Sequence, residues 1–276
     1  MDVAVIANPN QALWEKGDFT RIARTMRQSG AELVADLAIA PGTQVLDLGC
    51  GDGTTALPIA RRGADVLGVD IAANLVAAGN ERARAAGLTN LRFERGDASN
   101  LGGLADDAFD LVVSIFGAMF APRPFDVARE MVRVTRPGGR IVMGNWIPGD
   151  PTLVAQILRI SSAYTPPPPE GFVSPMLWGD EGAVRERFAA AGISPSKLAF
   201  ERETWWFRHP GPASELMDIF RGFYGPTMNA FEAAATAGRE AELEAELATL
   251  FELQNRGLDR TEIPATFLKV TAIKDA

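Results

Sequence analysis

The clearest structural signal in the chain is the stretch Val45-Leu46-Asp47-Leu48-Gly49-Cys50-Gly51-Asp52-Gly53. The run Gln44–Leu48 is short and mostly apolar, as is typical of a buried strand. Three glycines then alternate with other residues, and glycine permits the backbone conformations that a tight turn needs. The segment after them, Thr54–Arg62, is predicted to be a helix. A glycine-rich turn between a strand and a helix is where open α/β sheets bind nucleotide-like ligands.

The alternation of strand and helix continues on the C-terminal side of this turn. Helices are predicted over Asn74–Ala86 and Phe125–Val134, and further strands over Asp65–Asp70, Leu91–Arg95, Phe109–Ile115 and Gly139–Trp146. Strands that alternate with helices at this spacing predict a parallel, doubly wound α/β sheet.

The flanking segments follow a different pattern. One helical segment, Gln11–Ile39, is predicted before the first strand. Beyond Pro148, helices are predicted over Thr152–Ser162, Asp180–Ala191, Ala213–Tyr224 and Pro226–Gln254. Two strands, Lys197–Arg208 and Ala265–Ile273, are expected to pair at one edge of the sheet.

The residues around the turn distinguish between two kinds of cofactor. A dinucleotide-binding turn has the pattern G-x-G-x-x-G, which from Gly49 would require glycine where Thr54 stands. Asp47 precedes the turn and would repel a pyrophosphate, whereas it would attract an α-amino or sulfonium cation. The pattern therefore favours a cationic cofactor that carries an amino acid.

Further polar residues follow the neighbouring strands. Asp70 ends the second strand, where an acid in this fold hydrogen-bonds ribose hydroxyls. Asp97, followed by Ala98, is placed to accept a hydrogen bond from an adenine amino group, and Ser114-Ile115-Phe116 is expected to wall the other face of the ring. A single such acid is more often a helix N-cap. Acids and loops at the ends of successive parallel strands together favour a binding site.

Composition excludes several other functions. The net charge of −8 argues against a nucleic-acid partner, which requires clustered Lys and Arg. Cys50 is the single cysteine, so an intramolecular disulfide and a multi-cysteine metal site are excluded, and no metal is expected. The N-terminal Met1–Asn8 lacks the features of a signal peptide, and no run is long enough for a membrane helix. We expect a cytoplasmic protein.

The motifs resemble those of the class I S-adenosylmethionine-dependent methyltransferases, most closely the ubiquinone/menaquinone-biosynthesis-like branch that acts on small molecules. The resemblance is carried by residues 45–53, Leu67-Gly68-Val69-Asp70, Glu94-Arg95-Gly96-Asp97-Ala98, Phe109–Ser114 and Arg136–Ile141. It implies a Rossmann-like, seven-stranded sheet whose last strand is antiparallel. It also implies that S-adenosylmethionine is bound and S-adenosylhomocysteine is the product, and that leading helices cover the cofactor. The implied binding residues are Asp47, Gly49, Cys50, Gly51, Asp70, Ile71, Asp97, Ala98, Ser114, Trp14 and Phe19.

The resemblance also suggests how the chain is divided. Residues 1–40 would form a helical lid, 41–147 the cofactor-binding core, and 148–276 the rest of the same domain with helices that cover the substrate. Lys16 and Gly17 belong to the expected lid, where an aromatic side chain such as Trp14 or Phe19 could make a cation–π contact with the sulfonium. Core packing is the alternative role for both rings.

The sequence does not identify a catalytic group. The sole histidine, His209, is read as a surface turn residue, and Cys50 as a small residue of the cofactor loop rather than a nucleophile. Aromatic residues in the C-terminal half, among them Tyr164, Tyr224 and Trp205, suit either a planar or lipophilic acceptor or a packed core. They could equally cover the seam of a homodimer.

Three functions remain open on the sequence alone. The leading one is O-, N- or C-methylation of a small-molecule acceptor. Ser114-Ile115-Phe116-Gly117 stands where an Asn-Pro-Pro-Tyr-like motif marks amino-group acceptors in some methyltransferases, so methylation of nucleic-acid bases loses support. The alternatives are a nicotinamide-dependent oxidoreductase and a non-catalytic protein that binds S-adenosylmethionine.

Overall fold

The computed structural model describes residues 11–276. The expectation about the N-terminal residues 1–8 lies outside the described residues. The helices are α1 Gln11–Glu15, α2 Thr20–Asp36, α3 Ala56–Ala60, α4 Ala73–Ala85, α5 Pro124–Val134, α6 Leu153–Ser162, α7 Glu181–Ala190, α8 Ala213–Phe223, α9 Gly225–Thr236 and α10 Glu240–Gln254. The strands are β1 Gln44–Leu48, β2 Asp65–Asp70, β3 Leu91–Arg95, β4 Phe109–Ile115, β5 Thr135–Trp146, β6 Leu198–His209 and β7 Thr261–Ile273.

The strands form one seven-stranded sheet in the order β3-β2-β1-β4-β5-β7-β6. Strands β1 to β5 are parallel neighbours, whereas β7 is antiparallel to both β5 and β6. The predicted Rossmann-like α/β fold with its antiparallel last strand is therefore confirmed. The strand order reverses at β1, with β2 on one side and β4 on the other. In such sheets, the crevice at the carboxyl ends of the strands at this point binds ligands.

The central strands are apolar because they are covered by helices. Val45, Leu46 and Leu48 of β1 are fully buried, as expected for a strand in the middle of a parallel sheet. Helices α3, α4 and α5 pack against β2, β3 and β5, and α2 packs against the edge strand β6. The core therefore holds rigidly the strand ends from which the loops of the site emerge.

Two predicted helices are each divided in two. The segment predicted as Gln11–Ile39 breaks at Gly17, which has a φ of +73° and lies against Met228. The segment predicted as Pro226–Gln254 breaks at Gly238, with a φ of +68°. A left-handed residue cannot continue a right-handed helix, and glycine adopts that conformation without steric cost. The helix after the glycine-rich turn is also shorter than predicted, since α3 has 5 residues.

No helix within residues 11–276 combines the length and the apolar character that crossing a bilayer would require.

Candidate active site

One cavity, with about 950 Å³ of empty space when the open solvent at its mouth is included, lies at the carboxyl ends of β1, β2 and β4. One end is built from the glycine-rich turn and the ends of β2 and β3, and the other mainly from aromatic side chains. We call these the donor end and the acceptor end. The donor end includes Gly49, Cys50, Gly51, Asp52, Thr54, Thr55, Asp70, Ile71, Leu75, Gly96 and Ala98; the acceptor end includes Trp14, Phe19, Ala23, Met26, Ile115, Phe116, Phe120, Ala121 and Trp205.

The glycine-rich turn has the conformation that its sequence predicts. Gly49, Gly51 and Gly53 have φ values of +69°, +54° and +87°. The backbone N–H of Gly49 donates to the carbonyl of Val69 at 2.7 Å, which ties the turn to β2. A Cβ atom on Gly49 would lie 2.6 Å from Cα of Gly117, in the turn after β4. Gly49 is therefore required both for its conformation and for this close backbone approach.

Asp70 is held in one orientation by the backbone. The N–H of Gly51 donates to its Oδ2 at 2.8 Å, and the N–H of Ala72 to its Oδ1 at 2.9 Å. Burial raises the pKa of Asp70, and these two hydrogen bonds oppose the rise because they favour the carboxylate. Asp70 and Ile71 both line the cavity, as the resemblance implies. The carboxylate is thus preorganised beside the turn.

Asp47 lies behind the cavity wall rather than in it. Its Oδ2 accepts a 2.5 Å hydrogen bond from the hydroxyl of Thr55, which does line the cavity. Its Oδ1 is buried and has no partner among the residues that the structure describes. Burial raises the pKa of Asp47 from its usual 3.8 to about 7. Thr55 therefore separates the carboxyl of Asp47 from the cavity, and the predicted role of Asp47 in cofactor binding stays a prediction.

Asp97 and Ser114 are also placed beside the cavity and not on its surface. Oδ1 of Asp97 accepts from the backbone N–H and the hydroxyl of Ser99, at 2.8 and 2.6 Å, so it closes a local turn. Ser114 donates to the carbonyl of Leu48 at 2.6 Å and accepts from the N–H of Ala118 at 3.0 Å. The residues that follow them in the chain line the cavity instead. These are Ala98 after Asp97, and Ile115 and Phe116 after Ser114.

Asp52 is a site residue that the sequence did not identify. It lies in the glycine-rich turn, is 1% exposed, and lines the cavity. Its carboxylate binds Arg27 of α2 at 2.9 Å and Arg82 of α4 at 3.1 Å. This pair of contacts clamps the turn between two helices. An acid in the turn is visible in the sequence, but its partners are 25 and 30 residues away, and no local pattern predicts that contact.

The acceptor end is aromatic. Trp14 meets Phe19 at a ring-centroid distance of 5.6 Å and Phe120 at 4.8 Å, both edge to face. Behind them the buried Tyr224 of α8's C-terminal end lies 6.1 Å from Trp14, and burial raises the pKa of its hydroxyl. Trp14 and Phe19 therefore pack against other rings and also line the cavity.

Phe116 has an unusual backbone conformation. Its φ is +60°, a region that bulky residues rarely adopt and that often marks a functional constraint. Its ring stacks on Trp146 at 3.6 Å with an angle of 7° between the planes, and Trp205 meets it edge to face at 5.0 Å. The stacked ring is thus fixed in the wall of the cavity. Nothing in the local sequence predicts this conformation.

The first helix is attached to both sides of the cavity. Glu15 accepts a hydrogen bond from the N–H of Ala73, at the start of α4, at 3.1 Å, and this bond lowers the pKa of Glu15. Lys16 forms an ion pair with Glu232 of α9 at 2.7 Å. Helix α1 and the residue after it therefore connect the donor side of the cavity with the C-terminal helices.

The remaining candidates for chemistry lie elsewhere or are engaged. His209 bonds Glu215 at 2.9 Å and Tyr164 bonds Glu246 at 2.5 Å, and neither residue lines the cavity. Burial and nearby carboxylates raise the pKa of Cys50 well above its usual value, so the thiol is protonated. Over residues 11–276, no group of His, Cys, Asp and Glu side chains is arranged to hold a metal ion.

Comparison with known proteins identifies the class. Residues 46–143 match the methyltransferase-domain family. The uncharacterized protein Rv1405c of Mycobacterium tuberculosis is 34% identical over 271 residues, which cover 98% of this chain and 95% of that protein. Demethylmenaquinone methyltransferase of Mycobacterium marinum is 33% identical over 171 residues, 57% of this chain and 70% of that one. An N-methyltransferase of Haemonchus contortus, solved with phosphomonomethylethanolamine and S-adenosylhomocysteine, shares the fold at a TM-score of 0.55 and 16% identity, covering 90% of this chain and 52% of that one.

The chain belongs to the class I S-adenosylmethionine-dependent methyltransferases. It is an enzyme of that class, and S-adenosylmethionine is its cofactor. The nicotinamide-dependent and non-catalytic alternatives are not favoured by these matches. The ubiquinone/menaquinone-like branch stays a prediction.

Proposed function

We propose that this methyltransferase acts on a small, largely apolar acceptor, which binds at the aromatic end of the cavity. The observation that carries the proposal is the continuity of the cavity: one space joins the donor end around Asp70 to the acceptor end around Phe116. An acceptor and a methyl donor in one shared cavity can be aligned for displacement, and alignment is the enzyme's main contribution to such a reaction.

The residues of the donor end fit the cofactor. The carboxylate of Asp70 is fixed by two backbone N–H groups and is available to ribose hydroxyls. Ile71 and Ala98 of the donor end, and Ile115 of the adjoining acceptor end, offer apolar surface to a planar ring. The unpartnered Oδ1 of Asp47, held behind Thr55, supplies negative potential on the side where a cationic group would bind. When bound, S-adenosylmethionine supplies an electrophilic methyl group.

No side chain in the described lining of the cavity is free to act as a general base for the acceptor. The titratable side chains in the described lining of the cavity are Cys50, Asp52 and Asp70. Asp52 is bound by two arginines, Asp70 by backbone N–H groups, and the thiol of Cys50 is protonated. The accepting O, N or C atom must therefore be nucleophilic by its own chemistry, and a proton that it loses goes to solvent.

The other assignments made from the sequence stay proposals. The lid role of residues 1–40 is supported, from residue 11 onward, by the contacts of Glu15 and Lys16. The helices between residues 148 and 276 are proposed to cover the acceptor, since Tyr224 packs on Trp14. A homodimer, a cytoplasmic location and the absence of a nucleic-acid partner stay predictions.

The substitution Asp70→Ala tests the donor end. We expect the affinity for S-adenosylhomocysteine, measured by calorimetric titration, to fall by about tenfold or more (~1.4 kcal/mol), because a carboxylate that accepts hydrogen bonds from the ligand is lost. Asp65→Ala is the matched control, because Asp65 begins the same strand and is exposed at its far end. An affinity within about twofold of the wild type (~0.4 kcal/mol) would remove Asp70 from the site.

A further inference from the structure

The indole of Trp205 is a hydrogen-bond donor without a partner in the wall of the acceptor end. Trp205 lies on β6, is 1% exposed, and lines the cavity. Its Nε1 is buried and makes no hydrogen bond to any residue in the described chain. A buried donor left unpaired costs about 1–3 kcal/mol, and the indole N–H of a buried tryptophan usually has a partner.

The surroundings of this indole restrict what could pair with it. Its ring is held edge to face by Phe116 at 5.0 Å and by Phe267 at 6.2 Å. The charged side chains in the described lining, Asp52 and Asp70, both belong to the donor end. A ligand at the acceptor end therefore meets mainly apolar walls and, on the side of β6, the unpartnered indole N–H of Trp205.

We infer that Trp205 Nε1–H donates a hydrogen bond to an oxygen of the methyl acceptor, and that the acceptor is a neutral, apolar molecule with an exposed carbonyl or similar oxygen. The inference rests on the proposed function, since it places the acceptor in that end of the cavity. An indole N–H can only donate. A protonated amine at this position would bury a charge without a counter-charge, which is unfavourable.

A second buried indole provides the matched control. Trp178 is also 1% exposed with an unpartnered Nε1, but it does not line the cavity, and its ring is covered by the guanidinium of Arg187 at 4.6 Å. The two tryptophans therefore differ in access to the cavity and not in burial. Of these two tryptophans, only Trp205 is placed to donate to a ligand in the cavity.

The experiment uses the full chain saturated with S-adenosylhomocysteine and two probes of equal shape. The probes are 2-acetylnaphthalene and 2-isopropenylnaphthalene, which differ in having a carbonyl oxygen or a methylene group at the same place. Their dissociation constants are measured by calorimetry in the wild type, Trp205→Phe and Trp178→Phe. We expect the preference for the ketone over the alkene to fall by about fivefold or more (~1 kcal/mol) in Trp205→Phe and to be unchanged in Trp178→Phe.

A spectroscopic readout separates this role from a structural one. In the ¹⁵N-labelled protein, the indole proton of Trp205, assigned by its loss in Trp205→Phe, should move downfield with the ketone and not with the alkene. An equal response to both probes, or an unchanged preference in Trp205→Phe, overturns the inference and assigns the N–H to the ring of Phe116. Lack of binding by both probes overturns the apolar acceptor class. Failure of the initial S-adenosylhomocysteine titration would instead count against the donor end and the proposed function.

Discussion

The two ends of the cavity differ in whether main-chain or side-chain atoms determine their geometry. At the donor end, backbone atoms set the geometry: Gly49 touches Gly117 through main-chain atoms, and Asp70 is oriented by main-chain N–H groups. At the acceptor end, side chains set it, with the rings of Trp14, Phe116 and others packed edge to face or stacked.

This difference has a consequence for how the two ends tolerate change. A backbone-built site fails when one methyl group is added, because main-chain atoms cannot move away without disrupting the strands that carry them. A side-chain-built site can be repacked by exchanging one ring for another. The same donor end can therefore serve many acceptors, in line with the rule that function resides in sites carried by a common fold.

The largest effect is expected from Gly49→Ala. A Cβ there would lie 2.6 Å from Cα of Gly117, on a residue with a φ of +69°. We expect binding of S-adenosylhomocysteine to be lost and the free energy of unfolding to fall by about 2–5 kcal/mol, the sum of left-handed strain and overpacking. Calorimetry and urea unfolding measure the two effects.

Gly42→Ala is the control for conformation alone. Gly42 has a φ of +80°, but nothing lies within 4 Å of its added Cβ. It should lose only about 1–2 kcal/mol of stability and keep its ligand affinity. If Gly49→Ala behaved like Gly42→Ala, the close backbone contact would not define the donor end.

A pH-dependent effect is expected from Asp47→Asn. Burial raises the pKa of Asp47 to about 7 in the folded chain, against a usual 3.8. Between those values the folded chain holds a proton that the unfolded chain has lost, so the free energy of unfolding contributed by this group decreases as the pH rises from about 4 to about 7. The asparagine variant lacks this loss, and its stability relative to the wild type should increase over the same interval.

Unfolding of both proteins in urea at pH 5 and pH 8, without cofactor, measures the change. A stability difference that is the same at both pH values would show that the Asp47 carboxyl is not perturbed by burial.

The smallest effect on binding is expected from Ser114→Ala. Ser114 joins the two ends, since its hydroxyl bonds Leu48 before the glycine-rich turn and Ala118 after Phe116. Loss of both bonds should lower the free energy of unfolding by about 1–3 kcal/mol, because a carbonyl and an N–H lose their partner. The affinity for S-adenosylhomocysteine should stay within about twofold (~0.4 kcal/mol).

Ser161→Ala is the matched control, because the buried hydroxyl of Ser161 makes no hydrogen bond within the described residues. It should leave stability nearly unchanged. A large loss of affinity in Ser114→Ala would mean that Ser114 contacts the cofactor, as the resemblance implies, and that the boundary between the two ends lies elsewhere.

Local sequence predicted much of the fold. The strands β1 to β4 begin and end where the apolar runs do, because a buried parallel strand must be apolar along its length. The helix breaks at Gly17 and Gly238 were missed, since an isolated glycine within a helical pattern does not reveal whether its φ is positive.

For the site, the sequence identified the positions better than the roles. Asp70, Ile71 and Ala98 line the cavity where their motifs predict, whereas the side chains of Asp47, Asp97 and Ser114 hydrogen-bond other groups of the protein instead. A motif predicts to within about one residue which part of a strand end lines the cavity. The direction of its side chain depends on competing hydrogen-bond partners, which the motif does not contain.

The glycine-rich turn, the acids after the strands and the order of elements are determined by the sequence alone, because they depend on backbone conformation and on contacts between near neighbours. Only the tertiary structure decides the clamp of Asp52 by Arg27 and Arg82, the strained stack of Phe116 on Trp146, and the unpaired indole of Trp205. Each of these features depends on residues that are far apart in the chain. Their energies depend on burial, which local sequence does not specify.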